Sequence, residues 1–112
     1  METLFIDIGS NSIKSLLADF KGGKVAATAD RSEHSRISSP EGLKSDAAKI
    51  IEDAVSSLCK RSMKNSEKFD VFCFGTSALR ESKNAGEVLA ELKSRGIEIR
   101  VLSGKEEAEL SF

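Results

Sequence analysis

The junction between an apolar strand and a small polar turn near the N-terminus constrains this sequence more than any other feature. Leu4-Phe5-Ile6 leads directly into residues 7–12, Asp-Ile-Gly-Ser-Asn-Ser. The nearly continuous apolar content of residues 3–8 predicts a central strand that is buried on both faces. An acid stands at position 7, where a purely structural strand would carry another apolar residue, so this turn is the first candidate for chemistry.

Two interpretations of the turn at 7–12 are open on these residues alone. In the first, the glycine lets a ligand approach the backbone, the N–H groups of residues 9–12 point into one concavity, and two serine hydroxyls add donors. In the second, Asp7 and Asn11 only form a turn between two strands, because their side chains bond to nearby backbone groups.

Composition limits the classes of partner. A chain of 112 residues fits one domain, which at this size buries about 65% of its unfolded surface. With 39% hydrophobic residues, 31% charged residues and a net charge of −1, the sequence indicates neither disorder nor a global positive field. We therefore expect no DNA partner, and any phosphate site has to be local.

The cysteines and the termini favour a cytoplasmic protein. Cys59 and Cys73 lie in a helical and a strand pattern without metal-ligand spacing, so we expect buried reduced thiols. No apolar run reaches the ~18 residues of a membrane span, and no basic segment followed by an apolar one opens the chain. His34 stands among polar residues and is expected at the surface without a role.

The first half of the chain predicts two further strands and a helix. Residues 13–20 are apolar enough for a strand, and Lys-Gly-Gly-Lys at 21–24 predicts a hairpin into a third strand. That third strand has no large apolar residue between its ends and is typical of a sheet edge. Ser39-Pro40-Glu41 predicts a helix start with a serine cap, and apolar residues spaced by about 3.6 continue the helix through Met63.

The second half alternates strands with helices. Residues 70–74 predict a strand buried on both sides, and Asn84 with Glu87 forms a capping-box pattern for a helix that stops near Gly96. Residues 97–102 alternate as the last strand. A second capping box, Ser103-Gly104-Lys105-Glu106, then opens a final helix.

This order of elements predicts an α/β fold, a ribonuclease H-like mixed sheet in which three antiparallel strands precede βαβ units and helices pack on the sheet. Ligands of open α/β sheets bind outside the carboxyl ends of the strands. The turns after Asp7, Phe74 and Leu102 each follow such an end. We therefore expect the three turns at one edge of the sheet.

The three turns carry the motifs Asp7-Ile8-Gly9-Ser10-Asn11-Ser12, Gly75-Thr76-Ser77-Ala78-Leu79-Arg80 and Ser103-Gly104-Lys105-Glu106-Glu107-Ala108. These motifs resemble, in the same order, those of the exopolyphosphatase / guanosine pentaphosphate phosphohydrolase family, within the actin, sugar-kinase and heat-shock ATPase superfamily. The resemblance covers essentially the whole chain.

The resemblance implies a role for each motif. Asp7 would hold Mg²⁺ or another divalent cation through water, and Glu107 would be the catalytic general base on the attacking water. Arg80 would act as a fixed cation in catalysis. The implied phosphate-binding residues are Gly9, Ser10, Asn11, Ser12, Thr76 and Arg80.

The residues themselves keep simpler explanations open. Arg80 could be a surface arginine paired with Glu81 or Glu87, and Glu107 could merely favour the positive end of a helix dipole. The capping box explains Glu106 but not Glu107. Since successive helical residues point about 100° apart, the two glutamates cannot do the same job.

We interpret residues 1–112 as a single lobe, the N-terminal half of a two-lobed phosphatase. The hydrolase would remove the terminal phosphate from inorganic polyphosphate or guanosine pentaphosphate. No Asp-Gly-Gly-Gly-Ser stretch follows Glu107, so the second phosphate loop and second metal-binding acid of two-lobed relatives are absent from this chain. By itself the chain is expected to bind phosphate weakly and to be inactive.

The alternatives are a non-catalytic lobe that binds an anion or a partner, and a fragment of a superfamily kinase or ATPase. Against a kinase stands the lack of a second nucleotide loop. The final helix stops where apolar residues accumulate, so self-association into a homodimer is a further expectation.

Overall fold

A mixed β-sheet with helices packed against it organises the computed structural model, which describes residues 2–21, 24–34, 36–64 and 68–109. At 20, 21, 24–29 and 107 only the backbone is described. The strands are β1 (Glu2–Ile8), β2 (Ile13–Lys21), β3 (Lys24–Glu33), β4 (Ser38–Ser39), β5 (Gly42–Leu43), β6 (Phe69–Gly75) and β7 (Ile99–Val101). The helices are α1 (Ala47–Ser62), α2 (Ser77–Glu81), α3 (Ala85–Ser94) and α4 (Gly104–Glu109).

The main sheet has the strand order β3-β2-β1-β6-β7. β1 and β2 pair antiparallel, as do β2 and β3, whereas β6 runs parallel to both β1 and β7. This confirms the predicted ribonuclease H-like layout, with β1 at the centre and β3 at an edge. The predicted hairpin glycines at 22 and 23 lie outside the described residues, and Lys21 pairs with Lys24 on either side of them.

One face of the sheet forms the core. Leu4, Ile6 and Ile8 of β1 are fully buried and belong to a cluster with apolar residues of α1 and α3. On the opposite face the β1 side chains are only half-buried, and Phe5 packs edge-on against Phe72 of β6 at a centroid distance of 6.1 Å. The central position predicted for β1 is therefore confirmed, with one face much more buried than the other.

The prediction that β6 is buried on both sides is wrong at Val71, which is 46% exposed. β7 is shorter than the predicted strand 97–102 and pairs only with the last three residues of β6. The N-terminal part of β6 therefore has no neighbouring strand on that side among the described residues. Cys73, which pairs with Ile99 of β7, is buried as expected.

The predicted helix start at Ser39-Pro40-Glu41 is also wrong, because α1 begins at Ala47. β4 and β5 pair as a short antiparallel hairpin, and the Ser39 hydroxyl donates a hydrogen bond to the Gly42 carbonyl at 3.1 Å. Gly42 has φ of 127°, which excludes a helix and favours glycine. Serine and proline suit turns as well as helix starts, and here the turn forms.

At its other end α1 buries a different residue from the predicted one. Met63 is 59% exposed, whereas Ser62 is fully buried. Met63 is the residue that follows the last helical position. The helix therefore ends one residue before the apolar pattern does.

Asn84 occupies the N-cap position of α3, but its side chain makes no capping hydrogen bond. It instead accepts a hydrogen bond from the Leu43 N–H at 3.0 Å and donates one to the Leu43 carbonyl at 2.8 Å. The predicted capping box with Glu87 is therefore wrong. The predicted stop at Gly96 is confirmed: φ is 87°, and Ile97 N–H donates to the Leu92 carbonyl at 2.9 Å in a Schellman arrangement.

Both cysteines are free thiols, and the expected burial is complete at one position and partial at the other. Cys73 is buried and Cys59 is half-buried. Burial raises the pKa of Cys73 to about 11, with a smaller contribution from Cys59. His34 is exposed, as predicted.

Replacing Asn84 by Ala is expected to lower the free energy of unfolding by about 1–3 kcal/mol, because both backbone groups of Leu43 lose their partner. Asn11→Ala is the matched control, since Asn11 is exposed; its effect should stay within about 0.5 kcal/mol. Urea unfolding measures both. Equal effects of the two substitutions would contradict a structural role of the Asn84–Leu43 pair.

The buried Cys73 thiol predicts a loss of stability in alkali. Its folded pKa of about 11 lies above the ordinary value of 9.0, so its contribution is complete below pH 9 and is lost as the pH rises towards 11. Cys73→Ala should reduce the slope of the unfolding free energy in that window. Denaturant titrations at pH 8, 9, 10 and 11 test this, and an unchanged slope would refute it.

Candidate functional site

The candidate site lies at the carboxyl edge of the three parallel strands. Ile8 of β1 pairs in register with Gly75 of β6, which pairs with Val101 of β7. Since the three strands run in the same direction, the turns that follow them emerge side by side. The expectation that these turns share one edge of the sheet is confirmed.

The turn at 9–12 is held by its own backbone and by the neighbouring hairpin. Gly9 N–H donates to the Ser12 carbonyl at 3.0 Å, and a Cβ at position 9 would lie 2.9 Å from that oxygen. The Ser10 carbonyl accepts a hydrogen bond from Ile37 N–H at 3.0 Å. Glycine is therefore required here by a close backbone approach within the turn itself.

This geometry reduces the set of candidate donors in the turn. Because the Gly9 N–H is engaged within the turn, the N–H groups that remain as candidates for the predicted phosphate contact are those of Ser10, Asn11 and Ser12. Asn11 is exposed, and Ser10 and Ser12 are half-buried. Of the donors predicted at residues 9–12, three successive N–H groups and two hydroxyls therefore remain as candidates.

Asp7 supplies a carboxylate beside this turn. It is half-buried at the end of β1, and its Oδ1 is shielded from solvent. Among the residues whose side chains are described, no group of three His, Cys, Asp or Glu residues is arranged to hold a metal ion. One carboxylate does fit a hydrated Mg²⁺, which keeps several waters and is often held by one or two carboxylates together with substrate phosphates.

The turn after β6 brings Thr76 and Arg80 to the same edge. A Cβ at Gly75 would overlap the Leu79 side chain, so glycine lets α2 pack directly on the end of β6. Thr76 is half-buried at the N-cap of α2, and its carbonyl accepts the Arg80 N–H at 3.0 Å. Its hydroxyl makes no capping hydrogen bond.

Arg80 joins the second turn to the third. Its Nη1 donates to the Leu102 carbonyl at 2.8 Å, and its Nη2 lies 3.8 Å from the Glu81 carboxylate. Leu102 N–H in turn donates to the Gly75 carbonyl at 2.9 Å. The Arg80 side chain is 29% exposed, so the pairing with Glu81 expected for a surface arginine is present but is the longer of these contacts.

The capping box at the start of α4 is confirmed in both directions. Ser103 N–H donates to Glu106 Oε1 at 3.2 Å, and Glu106 N–H donates to Ser103 Oγ at 3.1 Å. These bonds, the first above all, and the nearby Arg100 guanidinium lower the pKa of Glu106. Glu106 is thereby assigned to structure. Glu107 follows it on the α4 backbone, and its side chain lies outside the described part of the chain.

Sequence reasoning missed a cleft beside the first turn, with a volume of about 540 Å³. It lies between the β4–β5 hairpin and α2, and its lining includes Ser10, Ser39, Glu41, Ser77, Glu81 and Lys83. The signal in the sequence is the Pro-Glu-Gly stretch at 40–42, which overlaps the predicted helix start at Ser39-Pro40-Glu41. The hairpin that forms there in place of the predicted helix supplies part of the lining of the cleft.

Comparisons with known proteins agree with this geometry. A sequence model of the Ppx/GppA phosphatase family matches residues 37–112. The proteins named exopolyphosphatase 1 of Mycobacterium leprae and Mycobacterium tuberculosis are 29% identical to this chain over 121 aligned positions. That alignment covers 96% of this chain but 33% of each relative, so the chain spans about a third of their length.

Solved structures give the same match at the level of the fold. The Aquifex aeolicus PPX-GPPA enzyme is 26% identical, with a TM-score of 0.78 over 96% of this chain and 37% of its own. An exopolyphosphatase from Cytophaga hutchinsonii, 20% identical, has a TM-score of 0.80 over 98% of this chain and 36% of its own. At that identity the second match supports the fold only. None of the helices in the described ranges is long and apolar enough to cross a bilayer.

Gly9→Ala is expected to lower the free energy of unfolding by about 1–3 kcal/mol, because the new methyl group collides with the Ser12 carbonyl. Gly86→Ala is the control: nothing lies within 4 Å of the added Cβ in α3, so it should stabilise by about 0.5–1 kcal/mol. Denaturant unfolding measures both. A Gly9 variant as stable as the wild type would show that the turn is not closed as described.

Proposed function

The chain belongs to the Ppx/GppA phosphatase family, and on that premise we propose that it is the N-terminal lobe of an exopolyphosphatase-type hydrolase. Its substrate would be the terminal phosphate of inorganic polyphosphate or of guanosine pentaphosphate. The observation that carries the proposal is the meeting of three turns at one sheet edge, where Leu102 is bonded to both Gly75 and Arg80. Residues 1–112 would form one lobe, and the second lobe would be supplied beyond them.

Phosphate binding would use fixed donors rather than flexible ones. The N–H groups of Ser10, Asn11 and Ser12 belong to a closed turn, and Arg80 is anchored by the Leu102 carbonyl. Phosphoryl transfer depends mainly on positioning and on charge stabilisation, which preorganised amides and a guanidinium supply. Thr76 would add a hydroxyl beside Arg80.

Glu107 would be the general base. Its neighbour Glu106 is engaged in the capping box, so the two adjacent carboxylates divide into a structural one and a candidate catalytic one. A base removes the proton of the attacking water in the transition state and typically contributes about 10²–10⁴-fold in rate. A placement near the start of α4, at the same sheet edge as Arg80, supports this role.

A divalent cation would complete the charge balance. Asp7 would hold it through water, and the bound ion would neutralise charge on the phosphate oxygens. The Asp7 carboxylate at the end of β1 is consistent with such an outer-sphere contact. We expect the protein to act in the cytoplasm, where its substrates and reduced thiols would both be found.

The 112-residue chain alone is expected to bind tripolyphosphate with Mg²⁺ but to release little phosphate. Arg80→Ala should weaken binding by about 10-fold or more, because a hydrogen bond to a charged group contributes about 1.5–3 kcal/mol. Glu107→Gln should leave affinity unchanged, since a general base acts on water and not on bound phosphate. Isothermal titration calorimetry measures both variants.

Arg95→Ala is the matched control for the loss of an arginine in this binding measurement, since Arg95 forms its ion pairs with Glu52 and Glu91.

In a protein that also carries a second lobe, Arg80→Ala and Glu107→Ala should each reduce phosphate release by about 10²-fold or more. Binding without any such effect on turnover would identify a non-catalytic anion-binding lobe instead. Robust hydrolysis by the 112-residue chain would contradict the assignment of a single incomplete lobe.

A further inference from the structure

Hydrogen bonds of Leu102 connect the third turn to the second. Its N–H donates to the Gly75 carbonyl at 2.9 Å, and its carbonyl accepts from Arg80 Nη1 at 2.8 Å. Leu102 is only 2% exposed. A buried backbone group without a partner costs free energy, so both bonds are needed to keep this residue where it is.

The residues that follow Leu102 are also held by hydrogen bonds, as far as the first turn of α4. Ser103 and Glu106 close the capping box, and Arg100 Nη2 contacts the Glu106 carboxylate at 2.7 Å. The next residue is Glu107. The described part of α4 spans Gly104–Glu109, and these contacts hold its first turn.

Arg80 lies at the candidate phosphate site, and its hydrogen bond to the Leu102 carbonyl also links it to the segment that leads into α4. A guanidinium carries five N–H donors in a rigid fork, so a bond to a carbonyl and a bond to a phosphate are compatible on one side chain. A lysine would keep the charge but not the fork. The contact is made by a residue of α2 to a carbonyl 22 positions further along the chain.

We propose that Arg80 is a positioning residue for Glu107: through the Leu102 carbonyl it fixes the start of α4, so that phosphate binding at Arg80 and the placement of Glu107 are coupled. This inference rests on the proposed function for the roles of phosphate and Glu107. The coupling itself is a property of the ligand-free chain. It predicts that the loss of Arg80 loosens α4 even when no phosphate is present.

The first experiment measures amide hydrogen exchange of Leu102 and heteronuclear NOE values across residues 103–109 by NMR in the ligand-free chain. The Leu102 N–H exchanges only when its bond to the Gly75 carbonyl opens. Arg80→Ala removes the charged hydrogen bond at the Leu102 carbonyl, which should ease that opening and accelerate exchange by about 10-fold or more. It should also lower the NOE values of α4. Arg95→Ala, which removes two ion pairs elsewhere, should change neither. If Leu102 exchanges in Arg80→Ala at the same rate as in the wild type, the proposal is overturned.

The second experiment adds tripolyphosphate and Mg²⁺. In the wild type, amide shifts should change at residues 10–12 and also at 103–109. In Arg80→Lys the shifts at 10–12 should persist, whereas those at 103–109 should be lost; a purely structural role of Arg80 would not separate the two sets. Persistence of both sets in Arg80→Lys would overturn the coupling.

The two proposals can fail independently. If tripolyphosphate does not bind the wild type, the proposed phosphate function is contradicted, while the ligand-free exchange measurement still decides whether Arg80 holds α4. If Arg80→Ala weakens binding but leaves Leu102 exchange unchanged, Arg80 is a phosphate ligand only, and the positioning role is rejected.

Discussion

The parallel ladder between β1 and β6 is the constraint on which the rest of the structure depends. Seven residue pairs align the two strands, from Glu2 with Phe69 to Ile8 with Gly75. Parallel pairing forces the intervening chain to cross back over the sheet, and α1 makes that crossing on the buried face. The same pairing brings both strand ends to one level, so the turns that follow them are neighbours.

Close backbone approaches then convert neighbouring turns into one site. Gly9 allows the first turn to close on the Ser12 carbonyl, and Gly75 allows α2 to sit on the end of β6. A side chain at position 9 would press against the Ser12 carbonyl, and one at position 75 would overlap the Leu79 side chain, so a neighbouring group would have to shift in either case. The bonds of Leu102 add the third turn, so the edge is preorganised by backbone contacts before any ligand is present.

Local patterns were sufficient wherever one segment determined its own conformation. The capping box of Ser103 and Glu106 and the stop at Gly96 were predicted because their partners lie within a few residues. The start of α1 was not, because Ser39-Pro40-Glu41 suits a cap and a turn equally well. The hairpin is favoured in part by Asn84, whose side chain forms hydrogen bonds with both backbone groups of Leu43, 41 positions away.

By itself, the sequence determined the order of the five main-sheet strands and of α1, α3 and α4, the central place of β1 and the three motifs at strand ends, since hydrophobic periodicity and turn chemistry are local properties. The β4–β5 hairpin and α2 were not predicted. Only the tertiary structure decided that Arg80 binds the Leu102 carbonyl and that Asn84 binds both backbone groups of Leu43. Such contacts depend on which distant segments meet and at what distance. That information enters through packing, and no single stretch of the chain contains it.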